Sequence, residues 1–169
     1  MSERIELDNI DNILRNISLK LIVNENLCKL LKYNDSFALF EDITEEQRYE
    51  LNVQDGDITN TRIFYQPFNN DTITDQRTEL RIYFMNFKPD NLYLTKVNIG
   101  FDLVVHNDLW RLEQGKQRPT TMFKEILKSL NGQLVDGIGE LSFVDSPCVL
   151  RYFNSKFTGY SFTMRTRSV

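Results

Sequence analysis

His106 is the single histidine in the chain, and Asp108 follows two residues later. A histidine and a carboxylate make a general-base pair when a nucleophile or a substrate proton lies in reach. No nucleophile elbow or Walker loop accompanies them, and a histidine followed by an aspartate is also what an ordinary loop after a strand carries. Both readings stand. The two cysteines, Cys28 and Cys148, are too far apart in sequence to read as a metal-ligand pair or a disulfide framework. A zinc site needs about four ligands, and the chain offers three His or Cys in all. The cysteines read as buried thiols of a reducing compartment. Gly137-Ile138-Gly139 resembles the opening of a dinucleotide fingerprint, but the third glycine is missing and a strand pattern follows, so a turn is expected. Asp55-Gly56-Asp57 is acidic enough for calcium. An EF-hand counted from Asp55 would need Gly and Glu where Asn60 and Gln66 stand, so a plain turn is expected. Arg111, Lys116 and Arg118 surround the single Trp, Trp110, a set able to stack on bases or simply to form a surface loop.

Any such group has to be held by a core, and 169 residues are enough for one domain without disulfides or metal. Apolar residues at 41% and only 7 Gly and 4 Pro exclude collagen and wholesale disorder. Twelve Phe and seven Tyr against a lone Ala38 favour strands. The net charge of −4 argues against general nucleic-acid affinity. The charge is uneven. Residues 1–115 carry 12 Lys/Arg against 20 Asp/Glu, and residues 116–169 carry 8 against 4. An acidic part and a basic part suit head-to-tail contact between copies. No run of about 18 apolar residues is present, so no membrane span is expected, and Met1-Ser2-Glu3-Arg4 is not followed by an apolar leader.

Leu7, Ile10, Leu14, Ile17 and Leu21 recur at spacings of three and four, the stripe of an amphipathic helix. Asn24 caps a second short helix carrying Leu27, Leu30 and Leu31. Residues 36–60 are weakly patterned, apart from a capping box at Thr44-Glu45-Glu46-Gln47 opening a short helix. Strands follow: 61–66, a polar loop over 67–76, then 77–87. Lys88-Pro89-Asp90-Asn91 reads as a tight turn. The strand 92–106 alternates Val97, Ile99, Phe101, Leu103 and Val105 with Lys96, Asn98, Gly100, Asp102 and Val104, with a bend expected at Gly100. A helix over 119–131 opens at Pro119 and stops at Gly132, and strands are expected over 140–144, 148–153 and 157–167. The expected fold is α+β. It is a single domain over 1–169 with one mostly antiparallel sheet and a long β-hairpin, packed by the N-terminal helix and the helix near 119–131.

This layout, with the phrases Val104-Val105-His106, Arg118-Pro119, Met122-Phe123-Lys124-Glu125-Ile126, Leu130-Asn131-Gly132 and Phe157-Thr158-Gly159-Tyr160-Ser161-Phe162, resembles the tail terminator and head–tail joining (neck) proteins of long-tailed bacteriophages. Residues 36–60 lie outside the resemblance, as an insertion would. The resemblance implies a virion structural protein and not an enzyme, with no cofactor. It implies a ring, typically a hexamer, capping the tail tube protein and docking the head connector. The protein would be made in the host cytoplasm and end in the virion neck. Head-completion or baseplate roles are the neighbouring alternatives, and a small enzyme using His106 is another. A ring needs one face of a protomer to meet a different face of the next, and an acidic lumen would let the genome DNA pass without sticking. The contact residues to expect are Phe68, Asn69, Asn70, Asp71 and Thr72 in the 67–76 hairpin loop, together with Arg165 and Arg167 near the C-terminus.

Overall fold

The computed structural model describes residues 5–52, 58–69, 75–143 and 147–166. Expected turn residues Asp55, Gly56 and Asp57 lie outside them, as do the expected contacts Asn70, Asp71, Thr72 and Arg167.

The fold is α+β: a mixed, largely antiparallel sheet with four helices. The chain enters through a short strand β1 (Ile5–Glu6) and a 3₁₀ turn into α1 (Ile10–Leu21). Ile13, Leu14, Ile17 and Leu21 bury its apolar stripe. Helix α2 (Glu25–Lys32) starts where the Asn24 carboxamide accepts the Leu27 N–H at 3.0 Å. Helix α3 (Glu45–Glu50) is opened by the expected capping box. Gln47 N–H donates to Thr44 Oγ1 at 3.2 Å, and Thr44 N–H donates to Gln47 Oε1 at 3.1 Å. Helix α4 spans Arg118–Leu130 with Pro119 in its first turn, where a missing N–H costs nothing. Gly132 follows at φ 70°, a left-handed stop.

The remaining strands are β2 (Ile63–Phe64), β3 (Thr78–Asp90), β4 (Tyr93–His106), β5 (Gln133–Val135), β6 (Gly139–Phe143), β7 (Val149–Tyr152) and β8 (Phe157–Thr166). Their order is β2-β3-β4-β8-β6-β5, with β1 added to β4 and β7 to β8. One face of the sheet carries Leu80, Ile82, Val97, Ile99, Phe101, Leu103, Val105, Phe162 and Met164. Against it lie Ile13, Ile17, Leu21, Leu27, Leu30, Met122, Ile126 and Leu130 from α1, α2 and α4. Phe101 and Phe162 stack at 4.9 Å, and Phe123 of α4 meets Phe162 edge-on at 4.9 Å. Burying each such side chain contributes about 1.5–3 kcal/mol. This face is the core. Residues 36–52 contribute to it through fully buried Ala38 and Leu51, so the segment is built into the fold.

Three local expectations need correction. The long hairpin is β3–β4, and its turn is Asn91–Leu92, with Asp90 paired to Tyr93 and Asn91 at φ 55°. Asparagine accepts that left-handed backbone, so the turn forms there. Pro89 stays within the strand at a register shift, where its missing N–H breaks no regular pair. The segment 67–76 is not a hairpin loop. It joins β2 to β3, which run parallel, with Ile63 opposite Leu80, and parallel neighbours require a crossover. Finally, β4 is unbroken at Gly100, and the irregularity lies on β3 between Phe84 and Asn86. Gly100 provides room instead: a Cβ there would sit 2.7 Å from the Tyr83 ring.

Candidate functional site: two oppositely charged surfaces

Of the residues first singled out for chemistry, His106 and Asp108 come together and the others do not join them. His106 ends β4, only 7% exposed, with its ring edge-on to Phe157 at 5.1 Å. Its Nδ1 accepts the Asp108 backbone N–H at 3.3 Å, capping the 3₁₀ turn that follows. The Asp108 carboxylate lies 3.6 Å from the same Nδ1 and accepts from Gln76 Nε2 at 2.8 Å. Gly137 and Gly139 have φ of 84° and 75° in the tight β5–β6 turn, where Val135 pairs with Gly139. Among the described residues no group of three or more His, Cys, Asp or Glu is placed to hold a metal.

Arg118 leaves the basic cluster around Trp110 altogether. It is fully buried. Its Nε donates to Leu109 O at 2.9 Å, Nη1 to Leu30 O at 2.6 Å and Tyr33 O at 2.9 Å, and Nη2 to Asp35 O at 2.5 Å. One guanidinium thus terminates α2 and ties three segments together. Burial pushes it down to about 10, with Asp35 opposing the shift, so it remains a cation at neutral pH. Trp110 is half-buried against Tyr160 at 6.3 Å.

The surfaces able to do work are set by the second face of the sheet. Here the strand registers align Arg62 and Phe64 of the β2 edge, Glu79, Arg81 and Tyr83 of β3, Asp102, Val104 and His106 of β4, and Gly159 and Ser161 of β8. The half near His106 is covered. Phe68 packs on Phe153 at 5.3 Å and Phe157 at 6.0 Å, over Val104. Glu79, wholly buried, receives Arg77 Nη2 at 2.6 Å on one oxygen and Arg81 Nε at 2.8 Å on the other. The Arg81 guanidinium lies 4.0 Å over the Phe64 ring. Next to it Asp102 accepts from Tyr83 OH at 3.0 Å and Ser161 Oγ at 2.6 Å. Burial, then the Asp102 charge and hydrogen bond, push the Tyr83 phenol up. This half is a polar interior held by ion pairs and hydrogen bonds, in which Arg77 Nε and Arg81 Nη1 lack a hydrogen-bond partner.

The other half is open. Asn86, Asn98, Arg165 and Ser142 form a row across β3, β4, β8 and β6, and Asn98 Nδ2 donates to Asn86 Oδ1 at 2.7 Å. One step toward the hairpin turn, Lys88 and Lys96 stand directly opposite each other. Lys88, Lys96 and Arg165 are all exposed. Asp90 at the turn, exposed Glu6 of β1 opposite Tyr93, and Glu140 on β6 are acids at the margins of this row. Apolar side chains flank it: Met85 is 52% exposed on this face and Leu92 72% exposed at the turn, whereas Phe87 pairs with Val97 on the core side.

The opposing surface lies on the helical side, beside the β2 edge. Asn52, two residues beyond α3, bridges Ile63 of β2, and Arg48 Nη1 donates to Val23 O at 3.0 Å. The segment presents Glu41, Asp42, Glu45 and Glu46, all exposed, with Phe37, Phe40 and Tyr49 exposed beside them. Burial, then the charges of Glu41 and Asp42, push the neighbouring Tyr33 phenol up.

Of the expected contact residues, Arg165 therefore stands in the open basic row. Phe68 does not: it is an anchor that pins the crossover to the sheet, and Asn69 follows it, exposed and engaged in a contact of its own. The two places share a face but lie six residues apart along β4, roughly 20 Å. Lys88 and Lys96 were not singled out, although Lys96 and Asn98 alternate with Val97 and Ile99 and so face away from the core.

A family model matches residues 24–166, from the cap of α2 to the end of β8. The chain belongs to the YomW family. That family is phage-derived, and the chain is accordingly a phage-associated protein. The YomW match takes in both charged surfaces and leaves α1 and β1 outside. No curated protein and no solved structure matches the chain.

Proposed function

We propose that this chain is a structural protein of a phage particle, a tail terminator that assembles as a ring, caps the tail tube and joins it to the head connector. The observation that carries the reading is the pair of unlike surfaces: a basic, partly apolar sheet face at the hairpin and an acidic, aromatic surface beside α3 on the helical side. Copies carrying two such surfaces add head to tail, and a head-to-tail contact closes into a ring when its rotation allows. Membership in a phage-derived family supports the same reading. A hexamer is the stoichiometry we propose, with the tube protein and the connector as neighbours above and below and DNA passing through the lumen. The ring acts by geometry, ending tube growth and offering a new docking surface. The protein is made in the host cytoplasm and resides in the virion neck.

The test is electron microscopy of particles made by a phage lacking this gene. Overlong or headless tails support the proposal. Tails of normal length with an incomplete tip would refute it in favour of a baseplate role, and normal infectious particles would refute both.

A further inference from the structure

We propose that the open basic half of the sheet, centred on Lys88, Lys96 and Arg165, is the seat for the acidic surface of residues 37–50 of a second copy of this chain. The inference rests on the ring reading and names the contact that would build the ring.

Four observations carry it. First, Lys88 and Lys96 are a directly opposed cross-strand pair of like charge, an arrangement that destabilises an isolated sheet. Arg165 adds a third cation one strand away. An acidic partner removes that repulsion. Second, the same chain carries the complement: Glu41, Asp42, Glu45 and Glu46 within six residues, all exposed. Third, the apolar parts match as well as the charges. Met85 and Leu92 fringe the basic row, and Phe37 and Phe40, 55% and 62% exposed, fringe the acids. Aromatic rings beside acids are suited to cover methylene stems and cations together. Fourth, the two surfaces lie on opposite sides of the sheet, so the contact cannot be satisfied within one molecule. Nucleic acid is the other acidic occupant such a row would take, and the net charge of −4 opposes it.

The experiment is the mass of the purified chain by light scattering, in low and high salt, for the wild type and two charge reversals. The reversals are Lys88→Glu with Lys96→Glu, and Glu45→Lys with Glu46→Lys. All four positions are exposed, and circular dichroism verifies folding. The expected result is an oligomer for wild type that dissociates as salt rises, monomers for each reversal alone, and return of the oligomer when the two reversals are mixed in equal amounts. Mixing restores both contacts: each reversed surface meets its reversed complement, and each native surface meets a native one. Arg165→Glu, tested alone, should weaken wild-type assembly at least tenfold. A wild-type oligomer that survives both reversals, or reversals that stay monomeric on mixing, would overturn the contact while leaving the ring reading in place. A wild type that stays monomeric at every concentration would remove both.

Discussion

Arg118→Met removes the one side chain that bonds α2, the segment after it and the end of the β4 connection at once. Four carbonyls, from Leu30, Tyr33, Asp35 and Leu109, lose a charged donor. Hydrogen bonds to a charged group contribute about 1.5–3 kcal/mol each, so the gross loss is of order 6–12 kcal/mol. Removing the buried cation also removes its desolvation cost, which offsets several kcal/mol. The net destabilisation should be about 3–5 kcal/mol, and at roughly 2–4 °C per kcal/mol for a chain of this size the Tm should fall by about 10 °C. Urea unfolding followed by Trp110 fluorescence is a suitable assay, because Trp110 O accepts the Arg118 backbone N–H at 2.8 Å. Arg118→Lys should recover only part of the loss, since a single ammonium cannot reach three segments in a fixed fork. A loss below about 1 kcal/mol for Arg118→Met, or full recovery with lysine, would refute the assigned role.

Glu125, nearly buried on α4, is expected to give a pH-dependent effect. Burial alone would raise its carboxyl, but hydrogen bonds from Asn24 and Lys128 and the charges of Lys128 and Lys124 outweigh burial and hold it below 4.5. Its stabilisation is therefore present above that value and lost as the pH falls through the lower folded value. Glu125→Gln should destabilise the chain at pH 7 by about 1–2 kcal/mol, and the difference from wild type should shrink as the pH is lowered progressively below 4.5; a loss that stays constant with falling pH would contradict this. Cys28 is fully buried and its thiol is pushed up to about 12 by burial, so native protein should react with a thiol reagent at the half-buried Cys148 well before Cys28. Equal labelling rates would contradict the packing. Gly159→Ala places a Cβ 1.6 Å from Leu103 O and 2.8 Å from Leu103 C on β4, backbone atoms that cannot rotate away, so soluble folded protein should be lost. A Gly159→Ala variant with wild-type Tm would show that β4 and β8 are not so closely apposed.

The helices and strands were legible because each announces itself within a few residues. The i, i+3, i+4 stripe of α1, the Asn24 cap, the Thr44 capping box and the alternation of β4 are all local signals, and the structure carries each of them. What failed is what depends on partners distant in sequence. Pro89 suggested a turn, but Asn91 two residues on took the left-handed backbone. The β2–β3 pair looked like a hairpin because sequence shows order and not direction. Arg118 looked like a surface cation beside Trp110, and its acceptors lie 83 to 88 residues away on the α2 side. The opposed lysines 88 and 96 become a pair only once the register of the hairpin is known. The uneven charge along the chain was visible at the outset. The structure distributes it differently from a simple division at residue 115, since Lys88 and Lys96 of the acidic part join Arg165 of the basic part on one face.

If this chain works by assembling with itself in a closed head-to-tail ring, electron-microscopic class averages of the purified protein at low salt should show closed rings with a central opening, dispersed by high salt. Uniform single-copy particles at high concentration, or a two-fold symmetric dimer that uses one surface twice, would contradict it.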